Sequence, residues 1–547
     1  MKAPAIYGQG ALFAFSGLEG KTDFDTQLVG SLLGDHPGIH FCTKEPFELY
    51  IDTKNIVSIE WDAVASDVIS GRLVTEKSEK GFFFVFASNG TVVGKCPDDR
   101  LRLVFTTGIN DGISLTKCGE YFCLSSEGKT DCTADTCEAL LQKRLEFFSK
   151  KQSPVPDPII GEAFAKSVSI MKSQVYSTEG IFKQHWTTPN RFPHRFLWLW
   201  DSCFHSMGNR FISEELAKES ILSVLDAQDA DGFIAHRASP TEHSDITQPP
   251  VIAWSVEKIV RRTGDIDFAK QCYDRLTAYL EWDIRHRRTE SGLFFWHIQK
   301  TSVVCRCDES GMDNCSRFDD VEEMECIDFS CFMVKEANAM RYLAELLGKT
   351  DEVRKWAALA ADTADLINKR LWDENDGYYY DWELKTQSLH KVKSVASFLP
   401  LWAWICPENR VPRLLSALND EKQFNTPFAR SGISRDDKTF GTDMWCGPVW
   451  INYIYFLAEG LYRYGQKNTA DELIRNTVSE IARWYISDGV FYEFYDPMGR
   501  VSPRTLNRKG HAVTPYLYGG RYQVIRDYGW TATLFAAMVM EHSELFA

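Results

Sequence analysis

Apolar positions change their period near residue 140. Before that point they fall in short runs rich in β-branched and aromatic side chains. These are ALFAFSG, IHFCT, FELYID, NIVSIEW, DVISGRLVTE, GFFFVFAS, TVVGK and RLRLVFT, each bounded by turn formers. Asn89-Gly90 between two such runs is a strong hairpin signal. About eight strands at this spacing predict an antiparallel β-sandwich over residues 1–140. TCEALLQKRLEFFSKKQ then takes helical spacing and SPVPDP makes a stiff break, so 141–157 reads as a linker.

From 158 to 547 helices dominate. Twelve helical stretches are expected, beginning near 160, 200, 214, 249, 266, 327, 350, 395, 407, 447, 469 and 526. Met333, Ala337, Met340, Ala344 and Leu347 make one apolar stripe, Gly348 a stop, and Val353, Ala357, Ala360, Ala364 and Ile367 the next stripe. Gly465 ends another helix, and Thr469-Ala470-Asp471-Glu472 reads as a capping box. Links from even to odd stretches take about two to five residues, whereas links from odd to even take roughly twenty to forty. Long loops therefore share one end of the helical body, where sites are built. Six helix hairpins closing into a double ring, an (α/α)6 barrel, produce that asymmetry. An open superhelix is the rival, and no repeated period supports it.

Two long links carry the candidate chemistry. One contains ESGMDN and the other YEFYDP, and six of the twelve helices separate them. Asp313 and Glu493 are thereby expected on opposite sides of one cleft. Glycosidic bond hydrolysis needs such a pair: one carboxyl protonates the leaving oxygen, the other attacks or activates water. Most of the 76 acidic residues merely solvate the surface, so the spacing alone is weak support.

Composition narrows the partners. The charge is 61 − 76 = −15 with no basic block, which disfavours nucleic acid. No apolar run approaches the ~18–20 residues of a membrane span. The first residues do not read as a signal peptide, so a soluble cytoplasmic protein is expected. Fifteen cysteines, odd in number, read as mostly reduced thiols. The clusters Cys118, Cys123, Cys132, Cys137 and Cys305, Cys307, Cys315, Cys326, Cys331 lack zinc-site spacing, so neither metal nor cofactor is expected. The run Asp319, Asp320, Glu322, Glu323, Glu325 reads as a solvated acidic face rather than a Ca²⁺ site.

RFLWLWDSCFH, QDADGFIAHRAS, DITQPPVIAW, ESGMDNCSRFD, WCGPVWINYIYF, YEFYDPMG and YGWTATLF follow one another along 158–547. In that order they resemble the catalytic domain of glycoside hydrolase family 63, (α/α)6 barrels related to trehalases. The family includes processing glucosidases and hydrolases of glucosyl- and mannosylglycerate. The resemblance implies inversion, with Asp313 as general acid and Glu493 as general base. It also implies that Trp200, Asp201 and Gln248 hold the first sugar. Met312 stands where the family often has Trp, implying a less aromatic wall beside the acid. Cys446 stands where Arg is common, implying a missing charge.

Around those positions, His236 and Arg237 are the best extra substrate contacts, and Trp445 and Trp450 divide between core packing and sugar stacking. His205 is read as structural. Phe294, Phe295 and Trp296 are expected to give Asp313 the apolar surroundings that favour a protonated acid. The N-terminal sheets are expected to pack on the barrel and help wall the cleft. The overall expectation is an inverting exo-acting α-glycosidase on a carbohydrate substrate, α-glucosidase-like, with oligomeric state open. α-Mannosidase, trehalase and glycosylglycerate hydrolase are alternatives within the clan. A catalytically inactive carbohydrate-binding protein and a polysaccharide lyase are alternatives outside it; both retained carboxylates disfavour the first and the acidic charge the second.

Overall fold

Ser88 pairs with Thr91 across Asn89-Gly90, so the hairpin forms where the sequence places it. Neither turn residue enters the left-handed region, and a register shift between Phe86 and Ser88 takes up the twist instead. The structure is a computed structural model that describes residues 2–97, 99–128, 132–151, 153–300, 305–511 and 516–547. Its first part holds two antiparallel sheets. One contains β1 (Leu12–Ala14), β2 (Val29–Leu32), β3 (Gly38–Phe41), β4 (Phe47–Ile51) and, beyond them, β9 (Leu101–Phe105). The other runs from β5 (Ser58–Ala65) through β6 (Val68–Val74), β7 (Glu79–Ser88) and β8 (Thr91–Lys95) to β11 (Tyr121–Ser125) and β10 (Ser114–Cys118). Strand β4 alternates buried and half-buried positions, as a strand with one core face should. Three strands escaped the sequence pattern: β2, β10 and β11. Their segments VGSL, SLTKC and YFCLS mix Gly, Ser and Lys into runs too short to show a period.

Helix α1 (Ala134–Ser149) packs on β7. Helix α2 (Pro158–Ser173), capped by Asp157 onto the Ile159 and Ile160 N–H groups, then leads into the helical part. There follow α3 (Leu199–Asn209), α4 (Glu214–Asp226), α5 (Ile252–Thr263), α6 (Ile266–His286), α7 (Ile327–Leu346) and α8 (Thr350–Arg370). The last five are α9 (Leu399–Trp402), α10 (Val411–Leu418), α11 (Ile451–Arg463), α12 (Lys467–Asp488) and α13 (Gly529–Glu541). Helices α3, α5, α7, α9, α11 and α13 pack in that order, and α13 returns to α3, so the circuit closes. Outside it, α4, α6, α8 and α12 each pack on the helix before them, and α2 packs on α13. Circuit helix α13 is buried from Gly529 through Val539, whereas α8 outside exposes one face. At Gly208, α3 approaches α13 so closely that a Cβ would stand 2.5 Å from the Thr533 carbonyl.

Two helices depart from the pattern, α9 by its length and α12 by its start. Helix α9 spans four residues after a 3-10 turn at Val395–Phe398, and Trp404 at φ +60° ends it. The capping box at 469–472 is not used. Helix α12 begins two residues earlier at Lys467, and Asp471 instead pairs with Lys467 at 2.6 Å and accepts from the Tyr462 hydroxyl. The acidic run is only partly solvated. Asp320, Glu322 and Glu323 are exposed, while Glu325 is buried on Arg370 at 2.7 Å. Among the described residues, no helix is long and apolar enough to cross a membrane.

Candidate active site

Long links gather at one end of the circuit around a cavity of about 650 Å³. Its floor is the first turn of α3. Trp198 is extended and the helix starts one residue later, which turns Trp200 and Asp201 toward the cavity. The Trp200 N–H donates to Gln248 Oε1 at 3.2 Å, and its ring meets Trp530 edge-on at 5.3 Å. Gly311 covers the other side. Its φ is +69°, and a Cβ there would sit 2.3 Å from the Trp200 ring, so the glycine of ESGMDN is sterically required. The Tyr528 hydroxyl donates to Asp201 Oδ1 at 3.3 Å. Burial pushes the Asp201 carboxyl up to about 8, and the charges of Glu493 and Asp313 push the same way. A neutral Asp201 can therefore donate a hydrogen bond to a sugar hydroxyl.

Asp313 is fixed by its neighbours in ESGMDN. Glu309, fully buried, accepts from Arg287 Nε at 3.1 Å and from the His297 N–H at 2.9 Å. The Ser310 hydroxyl accepts from the Met312 N–H, and the Asn314 side chain accepts from the Trp445 N–H, both at 3.0 Å. Asp313 itself reaches the cavity, where Lys509 Nζ lies 2.6 Å from Oδ2. Burial alone would lower the Lys509 ammonium, but the Asp313 charge raises it above its ordinary value. Glu493 enters from the link before α13, its N–H bonded to the Ile525 carbonyl at 3.0 Å. Arg508 grips it through a fork, Nε to Oε2 at 2.7 Å and Nη2 to Oε1 at 2.9 Å. Arg508 Nη2 also reaches His194 Nε2 at 3.2 Å, and burial holds that imidazole well below its usual range, leaving a neutral acceptor. One dipeptide, Arg508-Lys509, thus contacts both carboxylates. None of Arg508, Lys509 or His194 was singled out from the sequence, because they reach the site only through tertiary pairing.

The other expected contacts separate into two sets. Gln248, His236, Arg237 and Trp450 line the cavity with Trp200 and Asp201. The His236 ring bonds the Ser244 hydroxyl and meets Trp198 edge-on; burial pushes it down to about 3, so it is neutral. The Arg237 guanidinium lies 4.4 Å over the Phe196 ring. Trp445 is fully buried outside the lining and stacks on Trp450 at 4.0 Å, supporting it from behind. Met312 and Cys446 also stand outside the lining. Met312 Sδ accepts from buried Arg317, and the Cys446 thiol bonds the Asn314 carbonyl. His205 is buried on the Thr187 hydroxyl at 2.9 Å, a structural position.

Two expectations are corrected. Phe294 and Trp296 pack on Phe329 of α7 rather than around Asp313, because the Cys326 N–H bonds the Phe294 carbonyl and ties this stretch to the helix start. A cation, not an apolar wall, faces Asp313. Among the described residues, none from the N-terminal sheets lines the cavity, whose lining begins at Pro193. Asp496, another carboxylate near the late loop, caps a turn by accepting from the Met498, Arg500 and Val501 N–H groups.

The chain is similar to known glycoside hydrolases. The chain is 25% identical over 401 residues to a mannosylglycerate hydrolase of Rubrobacter radiotolerans, covering 56% of this chain and 87% of that one. It is 23% identical over 398 residues to a probable mannosyl-oligosaccharide glucosidase of Schizosaccharomyces pombe, covering 58% of this chain but only 48% of that protein. Its fold matches a crystal structure of a GH63 mannosylglycerate hydrolase from Thermus thermophilus with a TM-score of 0.56 at 22% identity, over 69% of this chain and 99% of the other. Neutral trehalase of Saccharomyces cerevisiae matches at 0.53 with 14% identity, over 66% and 74%. The family model for the mannosylglycerate hydrolase MGH1-like glycoside hydrolase domain matches residues 194–531, which hold every cavity residue discussed except Pro193, and the chain belongs to that branch of glycoside hydrolase family 63.

Proposed function

We propose that the protein is an inverting, exo-acting α-glycoside hydrolase with Asp313 as general acid and Glu493 as general base. The observation that carries this reading is the meeting of both carboxylates at one cavity above Trp200 and Asp201. The cavity sits at one end of a closed circuit that we read as an (α/α)6 barrel over 158–547, preceded by a β-sandwich over 1–140 and a linker. A sugar on Trp200 is oriented by Asp201 and Gln248, whose polar atoms can bracket its hydroxyls. Asp313 protonates the leaving oxygen once substrate has drawn Lys509 aside. Glu493, held in one orientation by Arg508, takes a proton from water attacking the opposite face. Room for that water requires carboxyl groups ~6.5–9.5 Å apart. We assign the protein to the cytoplasm, on its sequence alone.

Among sugars, α-glucosides are the first choice. Glycosylglycerates are the second reading, and one observation favours them. Arg237 and Arg521 line the cavity and make no ion pair with a carboxylate among the described residues, so an anionic aglycone would find a partner there.

The test is a screen of α-linked glucose and mannose disaccharides and of glucosyl- and mannosylglycerate, followed by released sugar. Asp313→Asn and Glu493→Gln should each lower turnover by several orders of magnitude with the fold intact. Proton NMR early in hydrolysis of an α-linked substrate should show the β-anomer first; an initial α-anomer would overturn the assigned roles.

A further inference from the structure

Beside Asp313, three side chains with metal-binding atoms converge. Cys305, Asp308 and Asp313 each offer one such atom, and these atoms all lie within 4.8 Å of one another. That spacing suits ligands around one small ion, since Zn–S bonds are about 2.3 Å and Zn–O bonds about 2.0–2.2 Å. The place already attracts a cation: Lys509 Nζ stands 2.6 Å from Asp313 Oδ2 and 3.3 Å from Cys305 Sγ. Access is open, because Asp308, Asp313 and Lys509 all line the cavity. A second trio, Cys326, Asp328 and Asp381, has the same chemistry but is closed. There fully buried Arg317 spans both carboxylates, with contacts of 2.7 Å to each, so no ion can replace it.

We propose that Cys305, Asp308 and Asp313 form a thiolate–dicarboxylate site for a divalent ion of the Zn²⁺ class, and that the bound ion stops hydrolysis by occupying Asp313. The site follows from its own geometry; the inhibition rests on Asp313 being the general acid. One thiolate among oxygen ligands selects Zn²⁺ over Mg²⁺ or Ca²⁺, which take oxygen alone. The ion displaces the Lys509 ammonium, which keeps its proton, and releases the Cys305 thiol proton to solvent. A fourth position stays open to water from the cavity. A carboxylate coordinated to the ion can no longer carry a proton to the leaving oxygen. This also explains why cysteine spacing is uninformative: only one cysteine of the 305–331 cluster takes part, and the other ligands are aspartates.

Co²⁺ is the spectroscopic probe. Titrated into the full-length protein, it should give visible ligand-field absorbance and a near-ultraviolet thiolate-to-cobalt band saturating at one ion. Cys305→Ser should lose that band and weaken Zn²⁺ inhibition by at least about tenfold, since even outer contacts of a metal site are worth that much. Its turnover without metal should be unchanged. Lys509→Met should tighten Co²⁺ binding, because no ammonium has to leave. Mg²⁺ should not inhibit. Absence of the thiolate band, its persistence in Cys305→Ser, or equal Zn²⁺ inhibition of that variant would overturn the site. If the band forms and is lost as expected while Zn²⁺ leaves hydrolysis untouched, the inhibition is overturned. Turnover of metal-free Asp313→Asn then distinguishes the causes: an active variant means that the acid was misassigned.

Discussion

Single residues at this site are constrained by what stands a few ångströms away. Gly311 lies against the Trp200 ring, and its φ of +69° is a region where a Cβ costs ~1–2 kcal/mol. Overpacking against the ring adds ~1–3 kcal/mol. Gly311→Ala should therefore lower Tm and also turnover, because relief must move either the sugar platform or the chain that presents Asp313. A variant with wild-type Tm and turnover would mean that Trp200 yields freely. Arg508 is a positioning residue. Arg508→Lys keeps the charge but loses the fork on Glu493, so kcat should fall about a hundredfold, the usual cost of a misplaced catalytic group, while KM changes little. A rise in KM at constant kcat would instead make Arg508 a substrate contact.

At the scale of elements, α7 caps the start of α5. Glu336 of α7 is fully buried and accepts from the Ala253 and Trp254 N–H groups at the start of α5, both at 2.8 Å. Burial outweighs these bonds and pushes its carboxyl from 4.5 up to about 7. The folded state thus binds the proton more tightly than the unfolded state does. Stability from this group is complete below pH 4.5 and declines as pH rises to about 7, by ~3 kcal/mol. Glu336→Gln removes that dependence, so its Tm deficit against wild type should be smaller at pH 8 than at pH 5. An equal deficit at both would show that Glu336 ionises in the folded protein as readily as in water.

The helices themselves were largely legible, because stripes such as Met333, Ala337, Met340 and Ala344 are buried at 3.6 spacing. The α9 region was not, since Pro400 and left-handed Trp404 cut it short despite its apolar sequence. Alternating link lengths located both carboxylates in long loops at the cavity. They did not single out Arg508 and Lys509 within that link: Arg508 folds back onto Glu493 fifteen residues earlier, and Lys509 meets Asp313 of another link.

Across the whole molecule, buried charges tie the sheets to the helices. Lys172 of α2 is fully buried, with Nζ 2.5 Å from Asp67 and 3.1 Å from Glu19. Asp67 also faces Arg144 of α1 at 3.5 Å. Earlier in α2, Lys166 meets Asp527 at 2.7 Å, and the same carboxylate accepts from the Leu12 N–H of β1 at 2.8 Å. Asp527 immediately precedes Tyr528, which bonds Asp201 in the site. The sheets therefore support the cavity from behind although, among the described residues, they contribute none to its lining. Removing one member of a buried pair leaves an uncompensated charge, at ~3–5 kcal/mol. Asp67→Asn strips Lys172 and Arg144 of a shared partner, so it should lower Tm of the intact protein while turnover survives at low temperature. Acid should act on the same junction. Burial works to raise the Glu19 carboxyl, but Lys172, Lys143 and Arg144 outweigh it and hold it at about 2. Its contribution is present above pH 4.5 and lost as pH falls toward 2. Residues 158–547 expressed alone would expose Lys172 and the apolar face of α2 without their partners, and should be insoluble or unstable. Recovery of that fragment as a soluble, fully active enzyme, or an unchanged Tm in Asp67→Asn, would show that the sheets are a separable module.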